Sequence, residues 1–268
     1  MNYLLINGSP RMGNTWRLAG ELKKEISRLS PGSVFDEIHL MDVDLPFCTG
    51  CSLCFRKGHD LCPHSKAVKS IIDKIDRADG VIWAATTFNM QPAALTKNLI
   101  DHLCFMLHRP YFFTKKAIAI STVGGVGAKQ CVKYLAGTLR GIGFNRCYEF
   151  PVAAYSWNDF RIDEKTRGKC ARLANVFHGD VSSKKLRPPT WLQLIPYNLF
   201  RGMSLKYVSG AEFETCDGAW WTAPSRSGAA YDQAVPVPFL KRCFGGAFYL
   251  LGKLLSSRIT ITYKNDIK

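Results

Sequence analysis

The chain of 268 residues contains no run of about 18 consecutive apolar residues, so no segment reads as a membrane-spanning helix. Its opening, MNYLLINGSP, lacks a basic flank ahead of its short apolar run, which speaks against a secretory signal. The ten cysteines are therefore read as reduced thiols or metal ligands rather than disulfides, and a cytoplasmic location is expected. Acidic residues are scarce: 21 stand against 36 Lys and Arg, a net charge of +15. That imbalance calls for an anionic partner such as a phosphorylated cofactor, an acidic redox protein or an anionic lipid surface. With no C2H2 zinc-finger spacing, RNP motif or basic zipper, no nucleic-acid partner is expected. Internal repeats and low-complexity tracts are missing too, and 47% hydrophobic with 21% charged residues is the balance of a globular protein.

What is there is an alternation of short β-rich runs with amphipathic helical stretches over residues 1–179, the pattern of a parallel sheet covered on both faces. Strands are expected at 3–7, 34–40, 81–85, 117–121 and 147–152. Helices are expected at 15–29, 65–78, 95–106, 128–142 and 163–177, where apolar residues recur on one face. Beyond about residue 180 the alternation stops and Pro-, Trp- and Gly-rich segments take over. A mostly helical or irregular extension is expected over 180–268.

The first strand runs through NGSPRMGNT straight into a helix, which places Ser9, Arg11, Asn14 and Thr15 at a helix N-terminus. Free backbone N–H groups and the positive end of the helix dipole make such a loop an anion site. It has neither the GK[ST] ending of a P-loop nor G-x-G-x-x-G, so a monoester phosphate fits better than a nucleotide triphosphate or a dinucleotide. An ordinary N-cap turn, with Asn14 or Thr15 as the cap, is the alternative.

A second motif is CTGCSLCFRKGHDLCP, in which Cys48, Cys51, Cys54 and Cys62 lie within one loop after strand 2. The C-x2-C-x2-C start imitates the bacterial ferredoxin run, with a last spacing of seven instead of three. A cubane cluster, structural zinc with His59 and His64 nearby, and plain thiols all remain open. The six other cysteines read as small buried hydrophobes.

LLINGSPRMGNTWRLA resembles the phosphate loop of the flavodoxin-like NADPH-dependent FMN reductase family, which typically reads G-S-P-R-x-x-G-N-[ST]. The likeness continues through DGVIWAATTFNMQPAALTKNLIDHL, with Lys97 and Asp101 as a Lys-x-x-x-Asp pair, and STVGGVG at the end of strand 4. It spans about residues 1–150. It implies an α/β flavodoxin-like fold, a five-stranded parallel sheet in the order 2-1-3-4-5. It also implies an FMN whose phosphate is held by Ser9, Arg11, Asn14 and Thr15. Thr87, Phe88, Asn89 and Met90 would contact ribityl and ring, and Gly124, Gly125 and Gly127 would let the backbone approach the isoalloxazine. The chain departs from the family at Thr86 and Phe88, where a Pro-x-Tyr is common.

The iron-sulfur flavoprotein branch of that family carries a compact C-x2-C-x2-C-x4-7-C motif with a [4Fe-4S] cluster near FMN. The resemblance thus implies an FMN-dependent oxidoreductase passing electrons from NAD(P)H or a reduced iron-sulfur carrier, such as a ferredoxin-like protein, to a quinone, flavin or similar acceptor. The alternative is a non-enzymatic electron-transfer flavoprotein docking on partner proteins.

The last feature is PFLKRCFGGAFYLLGKLLSSR. At about 100° per residue its Phe and Leu residues fill one half of the helical wheel, while Lys241, Arg242, Lys253 and the glycines fill the other. Such a helix docks on its own domain, forms a homo-oligomer or touches a membrane peripherally; docking or dimerisation is expected here.

Overall fold

The computed structural model describes residues 1–156, 160–226 and 228–259. Three residues of the expected first domain and ten of the expected extension thus lie outside the described residues.

Five parallel strands form the sheet: β1 (Asn2–Asn7), β2 (Val34–His39), β3 (Gly80–Ala84), β4 (Lys116–Val123) and β5 (Arg146–Ala153), in the order β2-β1-β3-β4-β5. β1, β3 and most of β4 are buried along their length, as the apolar runs LLI, VIWA and AIAI require. The edge strand β2 alternates, and Asp36 and Glu37 on it pair with Lys74 and Lys23 at 2.9 and 2.6 Å, which blunts the edge with charge.

The helices are α1 (Asn14–Leu29), α2 (Leu53–Arg56), α3 (Ser65–Arg77), α4 (Ala94–His102), α5 (Phe105–His108), α6 (Ala128–Gly141), α7 (Glu164–Ser182), α8 (Trp191–Met203), α9 (Cys216–Thr222) and α10 (Phe239–Arg258). On one face of the sheet α1 and α7 bury Leu18, Leu22, Ile26, Ala174 and Phe177. On the other, α3, α4 and α6 bury Val68, Ile71, Ile75, Leu99, Val132 and Leu135. The right-handed β-helix-β crossovers bring every βα loop to one rim, beyond the carboxyl ends of the strands.

α7 continues five residues past the expected end, across the domain boundary anticipated at 179/180. The reason is Asp180. Its carboxylate accepts from Tyr148 Oη–H at 2.9 Å and lies 3.4 Å from the Nζ of Lys116, a fully buried lysine on β4. Arg146 approaches it as well, at 3.7 Å.

The extension has its own small core of Leu194, Tyr197, Trp221, Tyr231 and Val235, shared with Phe113 from the segment before β4. α8 opens on a reciprocal capping box between Thr190 and Gln193. α8 and α10 then run parallel. Trp191 meets Phe244, Gly202 lies against Gly252, and Lys206 Nζ donates to the Ser256 carbonyl at 3.1 Å. The contact depends on glycine: a Cβ at Gly252 would lie 2.5 Å from the Leu199 carbonyl oxygen, and one at Gly202 would land on that of Tyr249. α10 therefore docks through its glycine side, and Phe239, Leu240, Leu250 and Leu254 face outward, each at least 59% exposed. Of the apolar half expected to dock, only one margin is covered: Phe244, Phe248 and Leu255 are half-buried.

Candidate functional site

Three βα loops meet around a cavity of about 610 Å³ on the rim. Ser9, Arg11, Asn14 and Thr15 line it from the first loop, Thr86, Thr87, Phe88 and Asn89 from the second, and Thr122, Val123 and Gly124 from the third. No carboxylate lines it among the described residues.

The first loop is built to leave donors unused. α1 starts at Asn14 with Gly13 as its cap residue and no side chain bonded to its first turn, so neither Asn14 nor Thr15 is a capping residue. The first intrahelical bond is Arg17 N–H to the Gly13 carbonyl, which leaves the amides of 14, 15 and 16 without helical acceptors. The first turn also holds no acidic residue. Ser9 is buried, and its Oγ accepts the Thr86 amide at 3.1 Å, so the hydroxyl hydrogen is left to donate toward the cavity.

Hydroxyl pairs tie the three loops together. Thr15 Oγ1 lies 2.6 Å from Thr122 Oγ1, and Thr87 Oγ1 lies 2.6 Å from Ser121 Oγ. Thr15, Thr122, Thr87 and Ser121 are all nearly inaccessible, and the two pairs fix the walls of the cavity. Below the first loop, Thr96 on α4 donates to the Gly8 carbonyl at 3.1 Å, and a Cβ at Gly8 would collide with that hydroxyl.

The second loop is a hairpin, Thr87–Phe88 against Gln91–Pro92, turned by Asn89 at φ 46° and Met90 at φ 65°. Two consecutive left-handed residues make the tight turn that suits a two-residue hairpin. The turn holds Phe88 at the lip of the cavity, 57% exposed. Met90 and Gly127 face each other instead of lining the cavity: a Cβ on Gly127, at φ 108°, would lie 3.1 Å from the Met90 Cα. Gly125 stands in open space. Of the three glycines expected at a ring, only Gly124 lines the cavity. Lys97 and Asp101 form an i,i+4 ion pair on α4.

The cysteine loop emerges on the same rim, after β2. All ten cysteines are free thiols. Cys54 lies within hydrogen-bonding reach of Cys104, whose thiol is drawn below the ordinary range by that bond while Cys54 is pushed above it. Burial pushes Cys62 up, with smaller contributions from nearby Cys54 and Cys51. The donor chemistry is that of a metal site, yet no three His, Cys, Asp or Glu among the described residues are placed as a closed ligand set. Cys104, read from the sequence as a plain buried thiol, is the residue the fold adds to this group. It follows α4, 42 residues beyond Cys62, and no spacing rule reaches that far.

The loop is also gripped from behind. Arg109 donates through Nη2 to the Cys54 carbonyl at 2.5 Å and through Nη1 to Asp217 Oδ1 at 2.9 Å, and His108 Nδ1 lies 2.8 Å from Asp217 Oδ2.

Residues 1–155 match the family model described as NADPH-dependent FMN reductase. The chain belongs to the NADPH-dependent FMN reductase family. It is an oxidoreductase, and FMN is the cofactor that membership supports. The chain is 28% identical over 191 residues to an iron-sulfur flavoprotein of Clostridioides difficile strain 630, covering 71% of this chain and 83% of that one. It is 33% identical to an iron-sulfur flavoprotein of Archaeoglobus fulgidus over 101 residues, or 38% of this chain and 48% of that relative. Among solved structures, the azoreductase of Bacillus anthracis str. Sterne superposes with a TM-score of 0.52 at 18% identity, over 66% of this chain and all of that one. That likeness concerns the fold. The flavodoxin-like sheet order expected from the motifs is thus the one found.

Proposed function

We propose that this reductase holds FMN in the cavity formed by the three loops and passes electrons from NAD(P)H to a small acceptor such as a quinone or a flavin. One observation carries the reading: a cavity of about 610 Å³ whose inner end is an uncapped helix N-terminus beside Arg11 and the Ser9 hydroxyl, with no carboxylate in its wall.

Ser9, Arg11, Asn14 and the first amides of α1 hold the phosphate, by charge-assisted bonds and the helix dipole. Thr15 and Thr87 position the walls through Thr122 and Ser121. Phe88 offers its exposed ring as a stacking face, Asn89 borders the ribityl chain, and Met90, packed on Gly127, keeps the hairpin turned toward the cavity. Gly124 gives the flavin ring room to lie against the backbone. When bound there, FMN would supply the redox chemistry between nicotinamide and acceptor.

The spacing of Cys48, Cys51, Cys54 and Cys62, together with relatives named iron-sulfur flavoproteins, supports a [4Fe-4S] cluster on that loop. The thiols are not closed round a metal here, and binding would have to draw them together, as metal sites commonly do.

The purified chain is expected to bind one FMN and to oxidise NADPH with a quinone. Replacing Arg11 and Asn14 by Ala should weaken FMN binding by about tenfold or more for each charge-assisted hydrogen bond removed. Unchanged FMN affinity in the double variant would remove the phosphate assignment.

A further inference from the structure

The outer face of α10 has no partner among the described residues, and its composition says what covers it. Around the wheel, Phe239, Leu240, Cys243, Ala247, Leu250, Leu251 and Leu254 form one continuous arc, and all are exposed. Exposure reaches 74% at Phe239, 71% at Leu240 and 68% at Leu254, a size and continuity of apolar surface that soluble monomers seldom leave bare. The arc is bordered on one edge by exposed Arg242 and Lys253.

The patch extends onto α8. Trp191 stacks edge-on against Phe244 at 4.9 Å, Lys241 Nζ lies 5.6 Å from the Trp191 ring, and Leu192 beside it is 77% exposed. Just before it come exposed Lys184, Lys185 and Arg187.

The charge around this face has one sign. Residues 181–211 and 233–265 contain no Asp or Glu, and α10 carries Lys241, Arg242, Lys253 and Arg258, none of them ion-paired among the described residues. In a symmetric contact the same patch would meet itself, so Arg242 and Lys253 of one copy would confront basic residues of the other with no acid to pair them. An anionic lipid surface answers both demands: its acyl region accepts the Leu and Phe arc, its headgroups accept the Lys and Arg border, and Trp191, 46% exposed beside the arc, offers an indole of the kind that membrane interfaces favour. No described helix is long and apolar enough to cross a membrane, so the helix lies along the surface. Its anchorage on α8 through Gly245 and Gly252 keeps that face turned outward.

We propose that α10, with Trp191 and Leu192, docks the protein flat onto an anionic lipid bilayer.

The test is co-sedimentation of the full FMN-loaded chain with vesicles of neutral phosphatidylcholine alone and with about 30% phosphatidylglycerol added. The protein is expected to sediment with the anionic vesicles at least about tenfold better than with the neutral ones, and to be released in part by about 0.5 M salt. Leu250→Asp with Leu254→Asp, both on exposed positions, should lower partitioning by about tenfold or more, with FMN content and far-UV circular dichroism retained. Arg242→Glu with Lys253→Glu provides a second pair, expected to remove the preference for anionic lipid. Failure of the native chain to sediment with either vesicle overturns the proposal, as does sedimentation that the leucine pair leaves unchanged. A dimer by light scattering that the leucine pair converts to monomer, without vesicle binding, would assign the face to a second copy instead.

Discussion

Arg109 and Asp217, 108 residues apart in the chain, meet at 2.9 Å with side chains only 8% and 13% exposed, and the same guanidinium holds the Cys54 carbonyl. The pair makes α9 of the extension a backing for the cysteine loop on the rim. Replacing Asp217 by Ala leaves Arg109 buried without its counter-charge, a loss expected to cost about 3–5 kcal/mol. Urea unfolding would read the cost, and limited proteolysis should cut the variant faster between Cys48 and Cys62.

The Thr15–Thr122 contact makes a different demand. If these hydroxyls only support the cavity wall, Thr15→Val and Thr122→Val should each destabilise by about 1 kcal/mol, and the double variant by less than their sum. FMN affinity should follow the wall and not the hydroxyl count, falling by a similar factor in either single variant. Additive losses in the double variant would show that the two side chains act separately.

Cys170, on the buried face of α7, is 1% exposed, and burial pushes its thiol up to about 12. A thiol whose folded pKa is raised contributes stability that is complete below its unfolded pKa, about 8.5, and that is lost as pH rises toward the folded value. Over that window stability should fall by about 1.4 kcal/mol per pH unit from this group, because only the unfolded chain releases the proton. Cys170→Ala should flatten the alkaline limb of a stability-pH curve measured by denaturant unfolding.

The thiol loop makes a compositional prediction. Prepared without oxygen, the protein is expected to hold about four iron and four sulfide per chain, and Cys54→Ser should lower both. Cys104→Ser should leave iron content unchanged while altering how fast Cys54 is alkylated in the iron-free form. A preparation with full FMN and no iron would limit the loop to thiol chemistry.

The sheet was legible because its three central strands are buried on both sides: LLI, VIWA and AIAI are too apolar for anything but a covered parallel strand. The loop between β1 and α1 was legible because a strand that runs through Ser9, Arg11 and Asn14 straight into a helix leaves a local trace. The hairpin at 87–92 left little trace, since its turn is made by Asn89 and Met90 instead of the usual Asn-Gly. Cys104 and Asp217 join the cysteine loop through tertiary contacts that no local pattern encodes. For α10, hydrophobicity alone suggested that the Phe and Leu side should be buried. Close backbone approach at Gly245 and Gly252 reversed the helix, since two glycine-lined helices can come nearer than two leucine-lined ones.

The Asp180 anchorage bears on where this chain can be cut. Because its carboxylate is the counter-charge of the buried Lys116, a fragment ending at residue 179 would keep an orphaned ammonium under its sheet. Protein engineers who want the flavin half alone should end it after Ser183, and they would still lose the clasp in which Asn145 exchanges two hydrogen bonds with the backbone of Arg187. Joined this way, the two halves are better transplanted as one cassette than swapped as interchangeable parts.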